Sequence, residues 1–162
     1  MRVAFSGPAQ IGKTTCAQYL QGKYGGTCLS FAKRLKMMAH TVGWDGKKDF
    51  RGRKLLQDLG LVVREYDPEY WIDSLLVEMY RRGLPSEEDN YFVDDLRFKN
   101  EAETLKREGF VLVRLQSDLP YWTGTHPSEV SLVDYTHDHY IVSTRGDIQG
   151  MLAQVEEVLG LC

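Results

Sequence analysis

A glycine-rich octet near the start of the chain carries the clearest chemical pattern in the sequence. Residues 2–6 (RVAFS) are typical of a short buried strand, and residues 7–14 (GPAQIGKT) follow directly. The octet fits the phosphate-binding pattern G-x-x-x-x-G-K-[ST], or Walker A, at every fixed position. Its glycines allow successive N–H groups to face one anion, Lys13 can reach the β- and γ-phosphates, and the Thr14 hydroxyl can ligate Mg²⁺. The pattern predicts a nucleoside triphosphate site rather than a plain strand-to-helix turn.

Such a loop needs a carboxylate from the end of a neighbouring strand to hold Mg²⁺ or its water. Residues 91–93 (YFV) are typical of a buried strand, and Asp94 and Asp95 follow directly. Neighbouring side chains on a strand point to opposite faces, so we expect one carboxylate at the metal and the other at the acceptor, where it takes a hydroxyl proton. We assign the metal to Thr14 and Asp95. The sequence leaves the two aspartates interchangeable, and capping of the next helix by one of them is the alternative.

Two arginines follow or end predicted strands. Arg97 lies two residues past Asp95, and Arg114 lies near the end of the next strand. Both can contact phosphates, with a structural ion pair as the alternative for Arg97. The residues assigned to ATP and its phosphates are Gly7, Gln10, Ile11, Gly12, Lys13, Thr14, Thr15 and Arg114. The catalytic set is Lys13, Asp94, Asp95 and Arg97.

Two further segments attract a functional interpretation. Residues 116–128 have no periodicity and contain aromatic residues, prolines and glycine, which is typical of a lid; a plain surface loop is the alternative. His137-Asp138-His139 suggests a metal site, but no third ligand cluster accompanies it. We therefore predict that these three side chains are solvated.

Alternation of the two hydrophobic periods predicts the fold. Strands are predicted at 2–6, 27–31, 91–93, 110–115 and 140–142, and helices at about 15–20, 32–42, 53–61, 69–82, 100–108, 128–135 and 147–159. Gly60 is expected to stop the third helix and Asp67 to cap the fourth. This order predicts an α/β protein with a parallel sheet covered by helices on both faces, and the octet after its first strand is typical of the P-loop NTPase class. The length of 162 residues favours a single domain, with its ligand crevice at the carboxyl ends of the strands.

Composition sets the class of protein and suggests a partner. Hydrophobic residues make up 43% and charged residues 27%, as in an ordinary globular protein, and we expect no membrane span and no secretory segment. Three cysteines without metal-ligand spacing suggest a reducing cytoplasm. The net charge is −3, yet residues 33–64 hold nine basic residues against three acidic ones, a local charge of +6. This segregation favours a polyanionic partner, with chance clustering as the alternative.

Several segments, in the same order along the chain, resemble the phage deoxynucleoside monophosphate kinases. They are Phe31-Ala32 with Lys36, residues 53–60 (RKLLQDLG), Trp71, residues 95–102 (DLRFKNEA) and residues 126–129 (HPSE). The resemblance covers most of the chain and implies an α/β kinase fold, ATP and Mg²⁺ as the donor pair, and a nucleotide acceptor. It implies acceptor contacts at Lys36, Arg53, Gln57 and Arg64. It also implies a lid region containing Arg114, His126 and Glu129, the last two of which we assign to the acceptor.

Two acceptors stay open at this point. The chain is also similar to compact relatives of these kinases, which phosphorylate the hydroxymethyl group of 5-hydroxymethyluracil within DNA. For a phage protein of this kind we expect the host cytoplasm as the location. Such an enzyme needs cations for the DNA backbone, aromatics to stack an extruded base and a carboxylate base. The cations can be Lys47, Lys48 and Arg51. The aromatics can be Trp44 and Phe50, and the base can come from the Asp94/Asp95 pair. A free deoxynucleoside monophosphate is the alternative, followed by another small hydroxyl acceptor.

Other classes of nucleotide-binding protein fit less well. A regulatory GTPase would carry an N-K-x-D guanine motif, which the sequence lacks. A non-catalytic binding module would be expected to lose Lys13 or the acidic pair, and both are intact. We therefore expect a kinase.

Overall fold

A computed structural model describes residues 1–81, 86, 88–118, 126–144 and 146–161, without the side chain of Glu129. This part of the chain contains five strands and seven helices. The strands are β1 (Arg2–Ser6), β2 (Thr27–Leu29), β3 (Tyr91–Val93), β4 (Val111–Ser117) and β5 (His139–Ser143). The helices are α1 (Lys13–Tyr24), α2 (Phe31–Thr41), α3 (Phe50–Tyr66), α4 (Tyr70–Tyr80), α5 (Lys99–Arg107), α6 (Pro127–Val130) and α7 (Ile148–Val158).

The strands form one parallel sheet in the order β2-β3-β1-β4-β5. The first strand is central: Val3 is in register with Phe92 of β3 on one side and with Val111 of β4 on the other. Its apolar side chains are fully buried, because parallel strands are covered on both faces. The prediction of an α/β protein with a parallel sheet is confirmed. The carboxyl end of β1, where the glycine-rich octet begins, is therefore flanked by the carboxyl ends of β3 and β4.

The chain divides into two compact units, which we describe separately. Unit 1 comprises residues 1–28 and 86–162, and unit 2 comprises residues 29–85. The expectation of a single domain stays a prediction. In unit 1 the core packs β1 against α1 and α7 through buried residues that include Cys16, Leu20 and Val155. The two helices are also joined at the surface, where Lys23 and Tyr24 both contact the carboxylate of Glu156.

Unit 2 shows where two predicted helix boundaries were wrong. Helix α3 begins at Phe50, not Arg53, because the Asp49 side chain accepts a hydrogen bond from the Gly52 amide at 2.8 Å and caps it. It does not stop at Gly60 but continues to Tyr66. The buried indole of Trp71 donates to the Gly60 carbonyl at 3.1 Å, so tertiary packing holds a glycine inside the helix against its weak propensity.

Other boundaries moved for local reasons. Strand β2 ends at Leu29, and Phe31 already belongs to α2. Asp67 accepts from the Glu69 amide in a turn, and Glu69, not Asp67, precedes the first residue of α4. The helix predicted at 128–135 is the single turn α6. Among the described residues, no helix is long and apolar enough to cross a membrane.

Candidate phosphate-binding and catalytic site

The glycine-rich loop has a backbone that only its own residue types accommodate. Gly7 and Gly12 have φ angles of 130° and 107°, and Gln10 lies in the left-handed region at 64°. A Cβ on Gly7 would lie 2.4 Å from the Leu115 carbonyl oxygen, and one on Gly12 would lie 2.7 Å from Met151 Cε. Both glycines are therefore favoured by backbone conformation, and at Gly7 a side chain would also collide with a backbone oxygen, whereas the flexible Met151 side chain beside Gly12 can move aside. The loop ends at Gly12 and α1 starts at Lys13, so the first N–H groups of the helix lie next to the loop.

Lys13 is held over this loop by the loop itself. Its side chain is only 7% exposed, and its ammonium donates to the carbonyls of Gly7 at 2.8 Å and Pro8 at 2.6 Å. A buried ammonium needs such acceptors, since burial without them is costly. Because the ammonium is fixed within reach of the loop amides, lysine and amides can act on one anion together.

The remaining loop residues assigned to phosphate differ in what they can offer. Thr14 and Thr15 are exposed in the first turn of α1, and Gln10 is exposed in the loop. Ile11 is buried in the core with its side chain 3.3 Å from where a Gly7 Cβ would stand. Ile11 can therefore contribute only backbone groups to a phosphate, while its side chain packs into the core next to Gly7.

Thr14 is paired with Asp94. Its hydroxyl donates to Asp94 Oδ2 at 2.7 Å, joining α1 to the residue that follows β3. The carboxylate beside Thr14 is therefore that of Asp94, the first residue past β3. The sequence-based assignment of the metal to Thr14 and Asp95 stays a prediction. Asp95 follows, half-buried.

Arg97 and Arg114 both line a small cleft beside the loop. Its lining comprises Gly7, Leu96, Arg97, Arg114, Ser128 and Leu132. Arg97 Nη1 donates to the Ser128 carbonyl and Arg114 Nη1 to the Leu132 carbonyl, each at 3.1 Å. Burial lowers the pKa of the Arg114 guanidinium, and the nearby Tyr140 partly opposes this. Both arginine side chains thus reach the cleft, and each is held there by a backbone carbonyl.

The turn that carries Arg97 is organised by Glu101, a residue with no predicted role beyond membership of a motif. Glu101 is 1% exposed on α5, and its Oε2 accepts from the amides of Arg97 and Phe98, both at 3.0 Å. Glu101 is the third residue of α5, which is the Glu position of a capping box, but Phe98 stands where that motif has Ser or Thr, so the sequence contained only half of the signal.

His137 is not solvated, which corrects the prediction. It is 4% exposed and its Nε2 lies 2.7 Å from Ser6 Oγ, at the end of β1. Its Nδ1 lies 2.9 Å from the Tyr135 carbonyl, which can only accept, so Nδ1 carries the proton and Nε2 accepts from the Ser6 hydroxyl. Burial lowers the pKa of His137. The period-2 pattern of the next strand contained no sign of this, because the contact spans 131 positions.

Asp138 is likewise engaged, and His139 belongs to β5. The Asp138 carboxylate accepts from the Leu112 amide at 2.8 Å and pairs with Lys106. Across the described residues, no group of three or more His, Cys, Asp or Glu side chains is placed to hold a metal. The prediction of solvated side chains is thus wrong for His137, while Asp138 is exposed as predicted and His139 is half-buried.

The predicted lid at 116–128 is described only at its two ends. Residues 119–125 lie outside the described residues, and residues 116 and 117 belong to β4. His126 begins the other end: it caps α6 by accepting from the Ser128 amide at 3.2 Å through Nδ1. The side chain of Glu129 lies outside the described part of the chain. A lid over the site stays a prediction.

The remaining acceptor residues lie in unit 2. Lys36 is half-buried on α2 and Arg64 half-buried on α3, while Arg53 and Gln57 are exposed on α3. Arg53 Nε donates to the Lys48 carbonyl at 2.8 Å, which ties the start of α3 to the loop before it. Lys47, Lys48 and Arg51 are exposed, so this end of unit 2 presents cations to solvent.

Trp44 does not present a stacking face, which corrects its assignment to the acceptor. It is 8% exposed, its Nε1 donates to the Lys47 carbonyl at 2.9 Å, and its ring packs on His40 with centroids 4.8 Å apart. Phe50 is the opposite case, being 84% exposed at the start of α3. The large apolar surface of a tryptophan favours its burial against a neighbouring ring over exposure to water in a loop.

A scan of the chain against protein-family models finds no match, and a comparison with curated proteins finds none either. The chemistry proposed for the site therefore rests on the residues of this chain alone.

Proposed function

We propose that this protein is an ATP-dependent phosphotransferase of the P-loop, nucleotide kinase-like class. The observation that carries the proposal is the grouping of Lys13, held over a glycine-rich loop, with Thr14 hydrogen-bonded to Asp94. A parallel sheet with this loop at the carboxyl end of its central strand supports the same class.

Thr14 and Asp94 fit a magnesium ion. A hydroxyl and a carboxylate are the hard oxygen donors that Mg²⁺ prefers alongside water and phosphate oxygens, and the two oxygens lie 2.7 Å apart. When bound, the ion would neutralise charge on the β- and γ-phosphates of ATP. Lys13 and the N–H groups of the loop would hold the same phosphates, and the half-buried Arg114 would add a donor at the rim.

Phosphoryl transfer then requires a group to receive a proton. The acceptor hydroxyl oxygen forms the new bond to the γ-phosphorus, the bond to the β,γ-bridging oxygen breaks, and ADP leaves. We assign the hydroxyl proton to Asp95, the half-buried neighbour of Asp94. Arg97, in the cleft beside Gly7, would stabilise charge on the transferred group.

As the acceptor we propose the hydroxymethyl group of 5-hydroxymethyluracil in DNA. Two features of unit 2 support it. Lys47, Lys48 and Arg51 are exposed and close to one another in sequence, as contacts to a phosphodiester backbone require. Phe50 among them exposes most of its ring to water, as a stacking platform for bases would.

A free deoxynucleoside monophosphate is the second candidate. Arg97 and Arg114 favour it, because both line the cleft beside Gly7 and guanidinium groups bind phosphate oxygens. A hydroxyl acceptor needs a base such as Asp95, whereas an ionised phosphate acceptor does not.

Transfer of label from γ-labelled ATP tests both candidates at once. The protein is offered DNA containing 5-hydroxymethyluracil, the same DNA without the modification, and each free deoxynucleoside monophosphate. Label in modified DNA alone supports the first acceptor, and label in a diphosphate supports the second. Absence of label from every acceptor, with Lys13→Ala indistinguishable from wild type in ATP hydrolysis, would refute the proposed function.

A further inference from the structure

The carboxylate of Glu101 lies in the protein interior, where a charge without water is energetically unfavourable. It lies on α5 with 1% of its surface exposed, and a buried carboxylate is tolerated only when hydrogen bonds replace its water. The two amides that donate to its Oε2 belong to Arg97 and Phe98, consecutive residues of the turn before α5. One buried oxygen thus fixes two adjacent peptide planes.

That turn connects the acidic end of β3 to the arginine of the cleft. Before the turn, the Asp94 carboxylate accepts a hydrogen bond from Thr14. Within it, Leu96 is buried in the core. After it, Arg97 donates to the Ser128 carbonyl at 3.1 Å. Leu96 anchors the turn through its side chain, and Glu101 anchors it through the backbone immediately after. The direction in which the Arg97 side chain leaves the backbone is fixed between these two anchors.

We propose that Glu101 is a positioning residue for the phosphoryl-transfer site: it holds the backbone of Arg97 so that the guanidinium lies in the cleft beside Gly7. This rests on the proposed function, since the value of a placed Arg97 is its action on a transferred phosphate. Capping of α5 alone would make Glu101 a stability residue, and catalysis would be indifferent to it. Positioning makes the effect of Glu101 on the reaction pass through Arg97.

A double-mutant cycle on phosphoryl transfer separates the two roles. Glu101→Ala should lower kcat about 10–100-fold, the usual range when a supporting residue is removed, with the KM for ATP nearly unchanged. In an Arg97→Ala background the same change should cost no more than about twofold, because the group it positions is gone. Glu101→Gln keeps an oxygen that accepts from both amides and should restore most of kcat. Multiplicative losses from the two alanine changes would overturn the proposal.

Leu105→Ala is the matched control. Leu105 is also buried on α5, so its truncation loosens the same helix while leaving both bonds to Glu101 intact. All variants are assayed well below their unfolding temperatures, and Glu101→Asp, with a carboxylate too short for the turn, replaces Glu101→Ala if the latter does not fold. A kcat loss in Leu105→Ala equal to that in Glu101→Ala would overturn the positioning role.

A readout independent of activity distinguishes failure of this inference from failure of the proposed function. The Nε–Hε signal of Arg97 in nitrogen-15 NMR reports the surroundings of its guanidinium group directly. The signal should shift or broaden in Glu101→Ala and stay in place in Leu105→Ala, whether or not any acceptor is phosphorylated. An unchanged Arg97 signal in Glu101→Ala would overturn the inference even if the protein is a kinase.

Discussion

The hydroxyl of Thr14 donates a 2.7 Å hydrogen bond to the carboxylate of Asp94, eighty positions further along the chain. The first turn of α1 is thereby connected to the end of β3 beside the phosphate-binding loop. Of two adjacent aspartates, this contact selects one as the companion of the threonine and leaves the other for a different task. The two can be told apart experimentally.

Asp94→Asn should raise the Mg²⁺ concentration needed for half-maximal phosphoryl transfer about tenfold or more, because one hard anionic ligand is replaced by a neutral one. Excess Mg²⁺ should restore much of the rate. Asp95→Asn should instead lower kcat about 10²-fold at every Mg²⁺ concentration, as expected when a general base is removed. A magnesium titration of each variant makes the comparison, and the reverse pattern would exchange the two roles.

Lys13→Ala should lower kcat for phosphoryl transfer by about 10²–10³-fold, the cost of removing one fixed donor from a developing charge. Its ammonium is held at the loop by the Gly7 and Pro8 carbonyls. Lys23→Ala is the control: Lys23 lies on the same helix, in a surface ion pair with Glu156, and its removal should leave kcat unchanged. Equal activity of wild type and Lys13→Ala would contradict the site.

Because His137 is buried in its neutral form, we expect the free energy of unfolding to decrease at acid pH. Burial holds the pKa of His137 below its ordinary 6.5, with Arg114 and Lys106 acting in the same direction and the Tyr135 carbonyl and Asp138 opposing them. Because the unfolded chain binds this proton more readily, the stability that His137 contributes is complete above about pH 6.5 and is lost as the pH falls from there towards the folded pKa.

His137→Asn should therefore reduce the slope of unfolding free energy against pH just below pH 6.5. Chemical denaturation at several pH values measures the slope, and His139→Asn is the control on the neighbouring strand. A slope identical to that of wild type in His137→Asn would show that the buried histidine does not titrate in this range. Its bond to Ser6 Oγ would then be structural at all pH values tested.

Charge reversal at Lys47, Lys48 and Arg51 should weaken transfer to modified DNA and flatten its salt dependence. Removing one cation from a DNA phosphate lowers the slope of log affinity against log salt by about 0.9, so the slope of the triple variant should fall by about two to three. Arg81→Glu, an exposed arginine at the end of α4, is the control for net charge. An unchanged slope in the triple variant would remove this surface from the DNA interaction.

Trp44→Phe should lower the free energy of unfolding by about 1–2 kcal/mol, since the Lys47 carbonyl loses the donor that Trp44 Nε1 provides. Phe50→Ala should leave stability within about 0.5 kcal/mol because that ring is exposed, yet should raise the KM for DNA. Urea unfolding and steady-state kinetics on both variants provide the comparison. A stability loss confined to Phe50→Ala would contradict the burial of Trp44.

Local pattern alone was enough for the parallel sheet, for most helices and for the position of the glycine-rich loop at the end of β1. The loop is a short continuous segment with a distinctive pattern of glycines, lysine and threonine, so eight residues are enough to identify it, although the space at its two glycines is limited by Leu115 and Met151. Strand and helix periods are equally local, and they indicated a parallel sheet with the loop at the end of one of its strands.

Pairings between distant segments were decided only by the tertiary structure. Four contacts depend on which segments pack against each other. They are the hydrogen bond from Thr14 to Asp94, the burial of His137 against Ser6, the packing of Trp44 on His40, and the bond from Trp71 to Gly60 within α3. A side chain's neighbours across 80 or 131 positions leave no periodic trace in the sequence. Hydrophobic and polar patterns report which face of an element is buried, and not which partner it meets there.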